Sequence, residues 1–124
     1  MSKVLYIEDN PHNMRLVRKM LKMGGYDVVE AMTGKAGIEM AAQERPNLIL
    51  LDINLPDMDG IEVCQRLRGS EETSWIPVVA LTANAMHGDR ERFLESGMDG
   101  YLPKPITRNE LLTTVSQFLA SYTE

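Results

Sequence analysis

The residues most suited to chemistry stand at the ends of apolar runs. Glu8 and Asp9 close the run Lys3 to Glu8 (KVLYIE), and Asp52 closes Asn47 to Asp52 (NLILLD). Thr82 closes Ile76 to Thr82 (IPVVALT), and Lys104 follows the short pair Tyr101-Leu102. If those runs are neighbouring strands, the carboxylates of Glu8, Asp9 and Asp52 crowd together and repel one another strongly. A hard divalent cation relieves that repulsion. Mg²⁺ takes oxygen ligands in octahedral geometry, keeps several waters, and typically binds one or two carboxylates together with a phosphate. Mg²⁺ and Lys104 together offset the charge of Glu8, Asp9 and Asp52. Asp52 ends the most apolar run, hence the most central strand, and is the candidate nucleophile: an aspartate accepts phosphate as an acyl phosphate. The cation and Lys104 then stabilise the equatorial oxygens of the transferring group.

The elements that must position these groups alternate along the chain. After the first strand, Asn10-Pro11 supplies a cap and a first-turn proline to a helix with Met14, Val17 and Leu21 on one face, ending at Gly24-Gly25. Tyr26 to Ala31 reads as a second strand, and Thr33 caps a helix expected to turn Ala36, Met40 and Ala41 inward before Pro46. The uninterrupted NLILLD run is the pattern of a parallel strand covered on both faces. A loop with Pro56 and Gly60 leads to a helix with Ile61, Cys64 and Leu67 at helical spacing. Ile76 to Thr82 is a fourth strand, Met86 to Gly97 a fourth helix, and Tyr101-Leu102 lies in a short fifth strand. Thr107 and Glu110 form a capping box before a helix striped by Leu111, Leu112, Val115, Phe118 and Leu119. Such a (βα)5 alternation implies α/β architecture, a doubly wound five-stranded parallel sheet with helices on both faces. In sheets of this kind the functional crevice lies at the carboxyl ends of the strands.

The chain has 124 residues, 44% hydrophobic and 25% charged, which suits one domain over residues 1–124. Formal net charge is −5, which disfavours non-specific binding to nucleic acid or anionic lipid. With no apolar run of membrane-spanning length, no signal-peptide organisation and a lone Cys64, a cytoplasmic protein is expected, without membrane insertion or an internal disulfide. Cys64 on an apolar helix face reads as inert. His12 and His87 lack metal-ligand spacing, the methionines read as core filler, and Trp75 sits in a polar loop without an assigned role.

Four stretches, in order and each at a strand end, resemble the receiver domain of two-component response regulators, the CheY-like superfamily. They are Tyr6-Ile7-Glu8-Asp9-Asn10, Leu51 to Gly60 (LDINLPDMDG), Leu81-Thr82-Ala83 and Tyr101-Leu102-Pro103-Lys104-Pro105. The resemblance implies the flavodoxin-like strand order 2-1-3-4-5. It also implies Asp52 as phosphoacceptor, with Mg²⁺ held by Asp9, Asp52, the backbone carbonyl of Asn54, and Glu8 directly or through water. Thr82 would hydrogen-bond the phosphoryl group beside the small Ala83, Lys104 would pair with it, and Tyr101 would be the aromatic switch that turns inward as Thr82 moves. Lys104-Pro105 resembles the family's cis peptide. Glu8 stands where many members carry Asp.

Implied partners are a histidine kinase or histidine phosphotransfer protein, and a downstream protein reading the face of the fourth helix, fifth strand and fifth helix, with no direct nucleic acid. The run from Thr82 to Asp89 (TANAMHGD) resembles hybrid-kinase receivers and stand-alone regulators more than DNA-binding ones. Other functions fit these residues less well. An aspartyl-phosphate phosphatase would need a general acid two residues after the nucleophile, where Asn54 offers an amide that cannot transfer the proton. A pseudo-receiver that only binds partners would not need the chemical positions filled. The chain is accordingly expected to catalyse only its own phosphorylation and dephosphorylation.

Overall fold

The computed structural model describes residues 2–83 and 89–120. Strands β1 (Lys3–Ile7), β2 (Asp27–Ala31), β3 (Leu48–Asp52), β4 (Val78–Thr82) and β5 (Gly100–Pro103) alternate with helices α1 (Pro11–Met23), α2 (Gly34–Glu44), α3 (Gly60–Arg68), α4 (Asp89–Glu95) and α5 (Arg108–Ala120). All strand pairs are parallel, in the order β2-β1-β3-β4-β5. The doubly wound sheet and its strand order are those expected.

Alternation along the strands divides the core in two. Leu5, Ile7, Ile49, Leu51, Val78 and Ala80 face α2, α3 and α4, meeting Ala41, Val63, Cys64, Leu67 and Phe93. Val4, Tyr6, Leu48, Leu50, Val79 and Leu81 face α1 and α5, meeting Met14, Val17, Leu21, Leu111, Val115 and Leu119. Every residue of β3 and β4 is buried, because helices cover both faces of the sheet's centre. Each buried aliphatic side chain contributes about 2 kcal/mol of transfer free energy.

Local chemistry sets the boundaries. Asn10 Oδ1 accepts from the His12 and Asn13 amides to start α1, and Gly25, at φ 87°, follows its end. The Tyr26 amide closes back on Leu21 O, so β2 begins one residue later than its apolar pattern suggests. Pro77 has no amide to pair, and β4 accordingly begins at Val78 rather than Ile76. The cap at Thr33 is present, donated to by the Ala36 amide. On α2 the buried positions are Gly34, Gly37 and Ala41, while Ala36 and Met40 are half-buried at the rim of the core. A Cβ on Gly37 would collide with the Ile7 side chain, so the glycine lets α2 lie directly on the end of β1. For the fourth helix, Asp89–Glu95 is helical; Met86 and His87 lie outside the described residues.

Candidate functional site

Parallel pairing brings the carboxyl ends of β1, β3, β4 and β5 to one edge, and each delivers a polar group there. Glu8 follows β1 directly, its amide bonded to Ala31 O at 2.9 Å, and its side chain is 1% exposed. Asp52, the last residue of β3, is 3% exposed. Asp9 is half-buried beside them. One carboxylate oxygen from each of Glu8, Asp9 and Asp52 lies within 4.8 Å of the others. Thr82 ends β4 and is buried. The Lys104 amide donates to Thr82 O at 2.8 Å, tying the ends of β4 and β5 together. From that anchor Lys104 Nζ reaches Asp52 Oδ1 at 3.1 Å and Glu8 Oε1 at 3.3 Å.

The loop after β3 is built to hold its shape. The Asn54 amide donates to Asp52 Oδ1 at 3.4 Å, and Asn54 forms a bridge with Asp59. Asp59 caps α3 by accepting from the Ile61 and Glu62 amides. Gly60 approaches the backbone too closely for a side chain, since a Cβ would stand 2.9 Å from Ile53 Cα. Asp57 reaches across to α2, accepting from the Gly34 and Lys35 amides at 2.8 and 3.0 Å. Those backbone donors hold its carboxyl below the usual range. The loop carrying Asn54 is therefore moored to two helix N-termini.

Buried carboxylates this close divide their titration. Burial pushes Asp52 up to about 6, hydrogen bonding to and repulsion from Glu8 add to the rise, and Lys104 opposes it. Burial also opposes ionisation of Glu8. Hydrogen bonds from Asp52, the Asn10 amide and Tyr6, with the charge of Lys104, nevertheless bring Glu8 below the ordinary value. Of the two, Asp52 is the group whose ionised form the surroundings disfavour, chiefly through burial and the neighbouring Glu8. A single ammonium facing several carboxylates leaves negative charge uncompensated. Hard oxygen donors at this spacing fit a divalent cation of the Mg²⁺ type.

Tyr101 is half-buried on β5, with its ring 6.5 Å from that of Phe93 and inclined at 52°. The Lys104–Pro105 peptide is cis. Sequence reasoning passed over Tyr6, whose hydroxyl donates to Glu8 Oε1 at 2.9 Å from a fully buried ring. The signal was available: residues two apart on a strand share a face. Asp57 was also passed over, because a loop carboxylate capping a helix 22 and 23 residues away has no local pattern.

Comparison with known proteins agrees with this geometry. The profile of the response regulator receiver domain matches residues 4–116, and the chain belongs to that family. It is 39% identical over 116 residues to the polar-differentiation response regulator DivK of Brucella anthropi, covering 94% of each chain. Among solved structures, the receiver domain of a sensor histidine kinase from Pseudomonas aeruginosa PAO1 is 37% identical. It superposes with a TM-score of 0.89 over 96% of this chain and 98% of that one, and holds a magnesium ion coordinated in its active site cleft. The chemotaxis protein CheY4 of Vibrio cholerae, 28% identical, gives a TM-score of 0.91 over 96% of this chain and 99% of its own.

Proposed function

We propose that the chain is a phosphoaccepting receiver of a two-component phosphorelay, taking a phosphoryl group onto Asp52 from a histidine kinase or histidine phosphotransfer protein. The observation that carries this reading is the buried Asp52 carboxylate, 3.1 Å from Lys104 Nζ, inside a carboxylate cluster spanning 4.8 Å. Glu8, Asp9 and Asp52, with the backbone carbonyl of Asn54, would hold Mg²⁺. When bound, that ion would supply positive charge to the oxygens of the phosphoryl group and offset the mutual repulsion of the carboxylates.

The chain's own residues do the rest. An Asp52 oxygen attacks phosphorus in line, the P–N bond of the donor phosphohistidine breaks, and its electron pair stays on the imidazole. Lys104, held at the site by the hydrogen bond its backbone N–H donates to Thr82 O, exchanges its carboxylate partners for phosphoryl oxygens. Asp52 is oriented by Lys104 and the Asn54 amide, so positioning supplies much of the catalysis. The reaction is confined to the chain's own phosphorylation and dephosphorylation.

The new charge draws Thr82 and Lys104 toward the phosphate, and Tyr101 turns inward against Phe93. The bistable surface is α4, β5 and α5, and a downstream protein reads its population shift. A formal net charge of −5 supports a protein reader rather than nucleic acid. No helix among the described residues is long and apolar enough to cross a membrane, and we place the reaction in the cytoplasm. The testing experiment is incubation with acetyl phosphate, with Mg²⁺ or with EDTA, followed by intact-mass measurement. One added phosphoryl group in Mg²⁺ alone is expected, and its absence from both samples refutes the reading.

A further inference from the structure

Tyr6 lies one residue before the end of β1, fully buried in the cluster of Val17, Leu21, Leu50 and Leu111, where a phenylalanine would satisfy the packing equally well. The hydroxyl therefore needs its own explanation. A buried O–H requires a partner, and this one donates to Glu8 Oε1 at 2.9 Å. The same oxygen accepts from Lys104 Nζ at 3.3 Å, and Oε2 accepts from the Asn10 amide at 3.2 Å. The Glu8 carboxylate is thus held at both oxygens, by strand, lysine and helix cap.

These holds differ in kind. Lys104 must turn to a phosphoryl group, and the Asn10 amide holds the other oxygen, Oε2. On Oε1 the Tyr6 hydroxyl is the hold that stays when Lys104 turns away. Glutamate has one more methylene than aspartate and one more torsion to fix, which costs entropy whenever the carboxylate must meet a cation in one orientation. Glu8 extends the β1 ladder by one residue through its amide bond to Ala31 O, so its side chain emerges on the same face as that of Tyr6, two positions before.

We infer that Tyr6 is a positioning residue for the cation site, its hydroxyl fixing the Glu8 carboxylate in the orientation that a divalent cation requires. This rests on the reading of Glu8, Asp9 and Asp52 as that site. An aspartate at the same position would be shorter by about 1.5 Å, beyond reach of the hydroxyl, and the brace would then have nothing to hold.

The test is a double-mutant cycle in Mg²⁺ affinity, measured by calorimetric titration of the whole chain with MgCl₂ alone. The proteins are wild type, Tyr6→Phe, Glu8→Asp and the double variant, with thermal unfolding followed in parallel. Tyr6→Phe is expected to weaken Mg²⁺ binding roughly three- to tenfold in the wild-type background and to change it by less than about twofold in the Glu8→Asp background. A merely structural hydroxyl would lower the unfolding temperature alike in both backgrounds and leave Mg²⁺ affinity unmoved, and that result overturns the inference. Equal weakening in both backgrounds also overturns it, since the effect would not pass through the Glu8 arm. Wild-type protein that binds no Mg²⁺ refutes the cation site itself, and the positioning role with it.

Discussion

Lys104 Nζ stands 3.1 Å from Asp52 Oδ1, although the strands that carry the two residues are not neighbours: β4 lies between β3 and β5. The lysine crosses the end of β4 from an anchor on Thr82 O. The contact that neutralises the proposed phosphoacceptor is therefore made over the residue proposed to sense the phosphate. A phosphoryl group placed on Asp52 would disturb that arrangement.

Lys104→Ala removes the cation shared by two buried carboxylates. The cost is expected to be about 1–3 kcal/mol in the absence of Mg²⁺, below that of a fully enclosed pair because the Lys104 side chain is 23% exposed. The fold is retained. Binding of the downstream partner should no longer respond to phosphorylation, which a pull-down comparing both phosphorylation states will show.

Asp52 makes the ion-free protein pH-sensitive. Its folded pKa, about 6, lies above the ordinary 3.8, so the unfolded chain releases this proton first as pH rises. The stability associated with the protonated group is fully present below about 4 and is lost as pH rises through about 6. In EDTA at pH 8, Asp52→Asn should be more stable than wild type by on the order of 1–2 kcal/mol, and the gap should close at acid pH. Mg²⁺ at pH 8 should stabilise wild type alone. Urea unfolding across this range checks both statements.

Arg68 fastens the edge of the sheet opposite the site. Its guanidinium donates to Gly97 O, Ser74 O, Ile76 O and Asp99 Oδ2 at 2.9, 2.9, 2.6 and 2.8 Å. Arg68→Ala should cost about 2–4 kcal/mol by stranding carbonyls near the start of β4, while Mg²⁺ affinity stays within about twofold of wild type. Chemical unfolding and calorimetric titration separate the two effects.

Gly37→Ala tests how α2 seats the site. The added methyl meets Ile7 Cδ1 and Cγ1, the latter at 2.8 Å, directly before Glu8. A loss of about 1–3 kcal/mol is expected from overpacking. Because the displaced strand end carries Glu8, Mg²⁺ affinity should fall as well, unlike in Arg68→Ala.

The sequence exposed the site more fully than the packing around it. Asp52 and Thr82 end apolar strands, Glu8 follows one directly, and Lys104 follows another, a linear signal that parallel pairing turns into convergence. The inward face of α2 was less legible. Ala36 and Met40 have the right period, but the close approach depends on Gly34 and Gly37, and a glycine on a buried face carries no hydropathy signal. Tyr6 drew no role of its own from the sequence because its hydroxyl matters only through Glu8. Arg68 and Asp57 act on backbone groups distant in sequence, which no local pattern reports.

The central claim is most directly tested by locating the phosphoryl group. Protein treated with acetyl phosphate and Mg²⁺ would be trapped by borohydride, which reduces an acyl phosphate to the corresponding alcohol, and then mapped by peptide mass spectrometry. Reduction at position 52, absent in EDTA and absent in Asp52→Asn, is the predicted result. Labelling at any other residue, or equal labelling of Asp52 without a divalent cation, would contradict the account.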